Sequence, residues 1–162
     1  MKTCSLDLGC GDTLRNPYNA SDVLGVDIAE QDDWRVQQCD LTLYEIPYGD
    51  EQFDFVTAYD FLEHIPRTLY LGTVRTHPFV DLMSEIYRVL KPGGLFLSST
   101  PCIPYGAAFQ DPTHVNYITP ETFAEYFDDE KTWAKMYGFK GAFKIVSLEM
   151  NPPHLVAVLK KI

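Results

Sequence analysis

His64 and His114 are two of only four histidines in this chain of 162 residues, and each stands close to acidic residues. Imidazole is the side chain that exchanges a proton near neutral pH, so both are candidate general bases, together with Asp60 and Tyr59. His114 ranks first because it lies in residues 101–119, a proline- and aromatic-rich stretch too long to be a plain connection in a compact domain. A histidine there can instead hydrogen-bond the loop and hold its shape. His64 follows Glu63 in a short helical segment stopped by Pro66, and Asp60 opens that segment, where capping alone accounts for an aspartate. Tyr59 either lines a pocket or packs. Asp111, His114 and His64 are metal-binding residue types, but no spacing among them demands an ion, and no metal site is assigned. Tyr105, Phe109 and Tyr117 offer an aromatic wall for a small molecule, or simply pack the loop.

A second group of residues has the types needed to bind rather than to react. Residues 4–11, Cys-Ser-Leu-Asp-Leu-Gly-Cys-Gly, read as a buried strand running into a glycine turn. Gly9 and Gly11 let the backbone approach a bound molecule and take positive φ without cost. Asp7 needs hydrogen bonds to sit in an apolar strand and is expected to serve the loop that follows. Asp27 closes the next strand, residues 23–27. In a doubly wound sheet that is where a ribose presents its hydroxyls, and a carboxylate can accept both. Asp40, near the end of a short third strand over 35–41, is placed to accept from an adenine amino group, with Leu41 against the ring face.

These residues must be positioned by an α/β frame. The polar stretch 12–22 is barely long enough for a crossover between parallel strands, which predicts an irregular connection or a single helical turn in place of a full helix. A fourth strand covers 53–59, and residues 66–78 lack periodicity and read as a surface insertion whose Arg67 and Arg75 either meet an anion or are solvated. Phe79, Leu82, Met83, Ile86 and Leu90 recur at helical spacing, and Lys91-Pro92-Gly93-Gly94 reads as the turn that ends this helix before a fifth strand at 95–100. Thr119 caps a helix that begins at Pro120, and a second helical piece over 131–137 ends at Gly138. Strands 143–150 and 154–160, joined by Asn151-Pro152-Pro153, form an antiparallel pair. Residues 1–162 read as one domain.

Composition narrows the classes of function. A chain that is 46% hydrophobic can build a sizeable core. With 13 Lys and Arg against 23 Asp and Glu, a formal charge of −10 disfavours a nucleic-acid partner. Lys140, Lys144, Lys160 and Lys161 near the carboxyl end read as a solvated face. Cys4, Cys10, Cys39 and Cys102 contain no Cys-x-x-Cys pair and read as reduced thiols of a cytoplasmic protein. No signal peptide is expected, because Asp7 interrupts the only apolar run near Met1, and no apolar stretch reaches transmembrane length.

Four segments then stand in one order: Leu6-Asp7-Leu8-Gly9-Cys10-Gly11; Gly25-Val26-Asp27; Phe53-Asp54-Phe55-Val56 leading to Leu62-Glu63-His64-Ile65; and Glu85 through Gly94. Together they resemble the class I S-adenosylmethionine-dependent methyltransferases, in the small methyltransferase type 11 group. The resemblance implies a Rossmann-like, doubly wound, seven-stranded sheet, mostly parallel with the last strand antiparallel. It implies that S-adenosylmethionine is the cofactor. Gly9, Cys10 and Gly11 would wrap its methionine part, with Asp7 beneath them, Asp27 and Ile28 would meet the ribose side, and Asp40 and Leu41 would frame the adenine. Tyr59 through His64 would line the reactive side. The segment from Asp111 to Phe123 is similar to the Asp-Pro-x-His segment of some small-molecule and sugar-modifying relatives. The usual N-terminal helices and the full helix after the glycine loop are missing, so the site is open, or covered by the two long loops, or covered by a second copy in a homodimer.

The expected activity is therefore methyl transfer to a hydroxyl or amine of a small molecule, with sugar or glycan precursors among the candidates. One alternative is a cofactor-binding module without catalysis that serves as a regulatory or scaffolding partner. Another is a dehydrogenase, against which Leu14 occupies the place of the third glycine in Gly-x-Gly-x-x-Gly.

Overall fold

In the computed structural model, which describes residues 2–162, the chain forms β1 (Cys4–Leu8), β2 (Asp22–Asp27), β3 (Val36–Gln38) and β4 (Phe53–Tyr59), then a 3₁₀ turn at Leu62–His64. A hairpin of β5 (Leu69–Leu71) and β6 (Val74–Thr76) leads into helix α1 (Pro78–Val89) and strand β7 (Leu90–Pro101). Short helices α2 (Ala107–Gln110) and α3 (Pro120–Tyr126), a 3₁₀ turn at Trp133–Tyr137, and strands β8 (Phe143–Asn151) and β9 (His154–Lys161) complete it.

A seven-stranded sheet runs in the order β3-β2-β1-β4-β7-β9-β8. The pairs from β3 through β7 are parallel, and β9 runs antiparallel to both β7 and β8. This is the expected Rossmann-like sheet with its last strand reversed. Side chains alternate between its faces. Leu6, Leu8, Val56, Phe96 and Leu159 are fully buried against the apolar stripe of α1, comprising Phe79, Leu82, Met83 and Ile86, and against Phe123 of α3. Pro78 at the first position of α1 presets its φ, and Thr119 N–H donates to Thr122 Oγ1 at 3.1 Å where α3 begins.

The opposite face has no helix between β1 and β2, and the irregular connection there is built from specific contacts. Asn16 accepts from Ala20 N–H at 2.8 Å and donates to Ala20 C=O at 3.0 Å, closing a turn with its side chain. Tyr18 stacks on Phe55 of β4 with ring centroids 4.4 Å apart and planes 12° from parallel. Leu95, Leu97, Val156 and Val158 of the same face stay half-buried.

Three expectations change. Lys91-Pro92-Gly93-Gly94 does not stand outside the sheet as a turn. Leu90 pairs with Phe53 and Leu95 with Phe55, so residues 91–94 face Asp54 alone and form a bulge inside β7. Helix α1 accordingly stops at Val89, one residue early. Residues 66–78 are a hairpin tied down at its root, where Arg67 Nε donates to Asn116 Oδ1 at 2.7 Å and its Nη2 to Tyr117 C=O at 2.5 Å. The lysines near the carboxyl end do not share a face: Lys161 is buried, with Nζ donating to Leu90 C=O at 2.8 Å, while its neighbour Lys160 is exposed. Among the described residues no helix is long and apolar enough to cross a membrane.

Candidate active site

A cavity of about 250 Å³ opens at the carboxyl ends of the parallel strands. Gly9, Asp27, Ile28, Asp40 and Leu41 line one side, and Asp60, Phe61, His64 and Ile65, after β4, line the other. This is the position where open α/β sheets bind ligands. Gly9 has φ +63°, and a Cβ added there would lie 2.4 Å from Phe61 Cδ2. Both backbone conformation and space therefore demand glycine. Its N–H donates to Val26 C=O at 2.8 Å, fixing the turn to the end of β2. Asp27 is oriented by two backbone donors, Gly11 N–H on Oδ2 at 2.8 Å and Ala29 N–H on Oδ1 at 2.9 Å, and each oxygen keeps acceptor capacity for a ligand. Thr42 N–H donates to Asp40 Oδ1 at 2.9 Å. Leu41 is buried, whereas Ile28 is 66% exposed at the rim.

Asp7, Cys10, Gly11 and Tyr59 fall outside this lining. Asp7 is fully buried, with Oδ2 accepting Arg15 N–H at 2.8 Å and Oδ1 accepting the Thr57 hydroxyl at 2.7 Å, so it holds the loop after β1 as its position in the strand suggested. Burial raises its pKa against the opposing effect of those bonds. Cys10 is buried and its thiol is pushed up to about 11, chiefly by desolvation, which leaves it an inert packing group. Gly11 acts through the N–H that orients Asp27. Tyr59 packs beneath Arg15, whose Cζ lies 4.9 Å from the ring centroid.

The candidate bases are arranged differently from expectation. Asp60 caps no helix, because the 3₁₀ turn has Phe61 at its N-cap and no side-chain cap bond. Instead Asp60 takes φ +48°, donates its N–H to Ser99 C=O at 2.9 Å, and holds Oδ1 2.7 Å from His154 Nε2. His64 lines the cavity, but His114 stands beyond it, edge-on to His64 with ring centroids 4.8 Å apart. His114 Nδ1 lies 3.2 Å from Ala108 C=O, so this ring does hold the loop as well as meeting its fellow histidine. Glu63 is buried beside the pair, and burial raises its pKa despite the bond from the Thr100 hydroxyl to Oε2 at 2.7 Å. None of Tyr105, Phe109 and Tyr117 lines this cavity; Phe109 and Tyr117 pack on each other at 5.0 Å between centroids on the exposed surface.

Sequence reasoning overlooked Val26, Cys39, Thr42 and Ile65 in the lining, and His154 beside it. The apolar residues give no chemical signal. His154 was reachable from topology, since the first residue of a reversed strand between parallel ones must land at their carboxyl ends.

The family model for the methyltransferase domain matches residues 6–98. A search of curated proteins found no match. Among solved structures, a chain of the complex containing the Haloferax volcanii Trm112 methyltransferase activator superposes with a TM-score of 0.65 at 13% identity, over 99% of this chain and 83% of that one. An S-adenosylmethionine-dependent methyltransferase from Archaeoglobus fulgidus gives 0.63 at 18%, over 98% and 86%. The 1,6-didemethyltoxoflavin-N1-methyltransferase of Burkholderia thailandensis gives 0.57 at 18%, over 98% and 71%. These likenesses show a shared fold. With more than half of its length matched by the family model and its glycine turn, Asp27 and Asp40 gathered on one cavity, the chain belongs to the methyltransferase-domain family, as a class I S-adenosylmethionine-dependent methyltransferase.

Proposed function

We propose that the protein transfers the methyl group of S-adenosylmethionine to a hydroxyl or amine of a small molecule, with Asp60 as the proton acceptor. The supporting observation is that a single cavity joins Gly9, Asp27 and Asp40 to Asp60 and His64. The residues present fit the cofactor: the side-chain-free Gly9 turn admits a ligand backbone-close, Asp27 is aimed by two N–H groups with lone pairs to spare for ribose hydroxyls, and Leu41 and Ile28 give apolar contact for a base. Bound S-adenosylmethionine supplies an electrophilic methyl group on a sulfonium.

The chain's own task is alignment and proton removal. Asp60 Oδ1 is engaged by His154, which leaves Oδ2 to accept a proton from an acceptor hydroxyl in the cavity. A neutral amine needs positioning more than a base. Asp60 is preferred to His114 for this role because Asp60 lines the cavity and His114 does not. The Burkholderia structure contains a small-molecule acceptor, in line with a small molecule here. Sugars and glycan precursors belong in the acceptor panel because of the Asp111-Pro-Thr-His114 segment.

Isotopically labelled methyl transfer from S-adenosylmethionine across hydroxylated and aminated small molecules tests the reading. A methylated product formed by the wild type and lost in Asp60→Asn supports it. Cofactor binding without product from any acceptor favours the non-catalytic module.

A further inference from the structure

Glu63 presents an anomaly that the cofactor cavity does not absorb. It is 1% exposed, its Oε2 is satisfied by Thr100, and its Oε1 has no hydrogen-bond partner. Orphaned carboxylate oxygens at that depth are rare and costly. The groups next to this carboxylate are two imidazoles. One ligand-type atom from each of Glu63, His64 and His114 lies within 4.8 Å of the others. The His114 side chain is itself only 8% exposed.

Both histidines are prepared in the same sense. His114 Nδ1 faces a backbone carbonyl, Ala108 C=O at 3.2 Å, which requires the proton on Nδ1 and leaves the Nε2 lone pair free. The Thr113 hydroxyl donates to Asp111 Oδ1 at 2.6 Å, so toward His64 Nδ1, 3.0 Å away, it can only accept, and His64 too is left with a free Nε2 lone pair. Hydrogen bonding of the remote ring nitrogen to a carbonyl or a carboxylate-linked group is the arrangement that fixes tautomer and orientation in metal-bound histidines. Asp111 Oδ2, 4.0 Å from His114 Nε2, adds negative charge at the edge of the group.

We propose that Glu63, His64 and His114 bind one divalent transition-metal ion of the zinc type, beside the end of the cofactor cavity that His64 lines. Two imidazoles and one carboxylate suit such an ion better than magnesium or calcium, which prefer all-oxygen shells, and three protein donors leave a tetrahedral ion one open position. The site does not rest on methyl transfer, since its residues and their hydrogen bonds are independent of what occupies the cavity.

The test is calorimetric titration of metal-free protein with Zn²⁺, repeated with Co²⁺ while visible absorption is recorded. One equivalent per chain is expected, with the intense d–d bands of a tetrahedral ion for Co²⁺. Glu63→Gln and His114→Gln should each weaken binding by at least about tenfold. Should either variant fail to fold by circular dichroism, His64→Gln, at a partly exposed position, carries the same prediction. Absence of a stoichiometric site in the wild type, or unchanged affinity in His64→Gln, overturns the proposal. S-adenosylhomocysteine binding measured on the same preparations reports the cofactor site separately, so failure of one reading does not mask the other.

Discussion

His154 Nε2 sits 2.7 Å from Asp60 Oδ1, joining the end of β4 to the first residue of β9 across 94 positions of sequence. Asp60 occupies the left-handed region at φ +48°, a conformation costing on the order of 1 kcal/mol or more for a residue other than glycine. It is held there by its N–H bond to Ser99 and by His154. In this conformation Asp60 lines the cavity.

His154 is accordingly a positioning residue for Asp60. His154→Ala should lower kcat by about ten- to a hundredfold while leaving S-adenosylhomocysteine affinity unchanged. His154→Gln, whose amide can still donate to Asp60, should restore part of the loss. Equal kcat in the alanine variant and the wild type would show that Asp60 is held without it.

Gly9→Ala meets two penalties at once, a positive φ and a contact with Phe61. It should destabilise the protein by about 1–3 kcal/mol in chemical denaturation and abolish cofactor binding. Adding Phe61→Ala removes the ring contacts but neither the positive φ nor the 3.1 Å contact with the Cβ of residue 61, so the double variant should recover only part of the stability.

Asp54 and Asp7 should respond to pH with opposite signs. Burial pushes Asp54 up, but Lys91 at 2.7 Å and Cys4 N–H at 2.9 Å outweigh it, and the net shift is downward. A lowered folded pKa contributes stability above the ordinary aspartate value, and that stability is lost as pH falls through the folded value. Asp54→Asn should therefore cost about 1–2 kcal/mol at neutral pH and progressively less in acid. Asp7 is raised, mainly by burial, so its contribution is present below the ordinary value and lost as pH rises through the folded one. Asp7→Asn should be tolerated better at neutral pH than at low pH. Urea unfolding of both variants across an acid-to-neutral series reads the two trends.

Much of the frame was legible because strands and α1 carry their own periodicity, and because Gly9, Asp27 and Asp40 mark strand ends where ligands bind. The bulge at residues 91–94 was not, since Pro-Gly-Gly is the same signal for a turn and for a bulge, and only pairing with β4 decides between them. His114 was favoured from its loop, yet its distance from the cavity depends on how residues 101–119 fold over His64, which no local pattern encodes. Nothing local marks Glu63 as buried, since its burial depends on Thr100 of β7 and on the backbone of residues 115–116, which bond to it from far along the chain.

The most direct test of the cofactor site is calorimetry of S-adenosylhomocysteine with the wild type and Asp27→Ala. One equivalent should bind the wild type, and the loss of charge-assisted bonds to ribose should weaken the variant by about 1.5–3 kcal/mol, with Asp111→Asn unchanged as a control. Identical affinity in Asp27→Ala and the wild type, or binding of NAD in place of S-adenosylhomocysteine, would contradict the account.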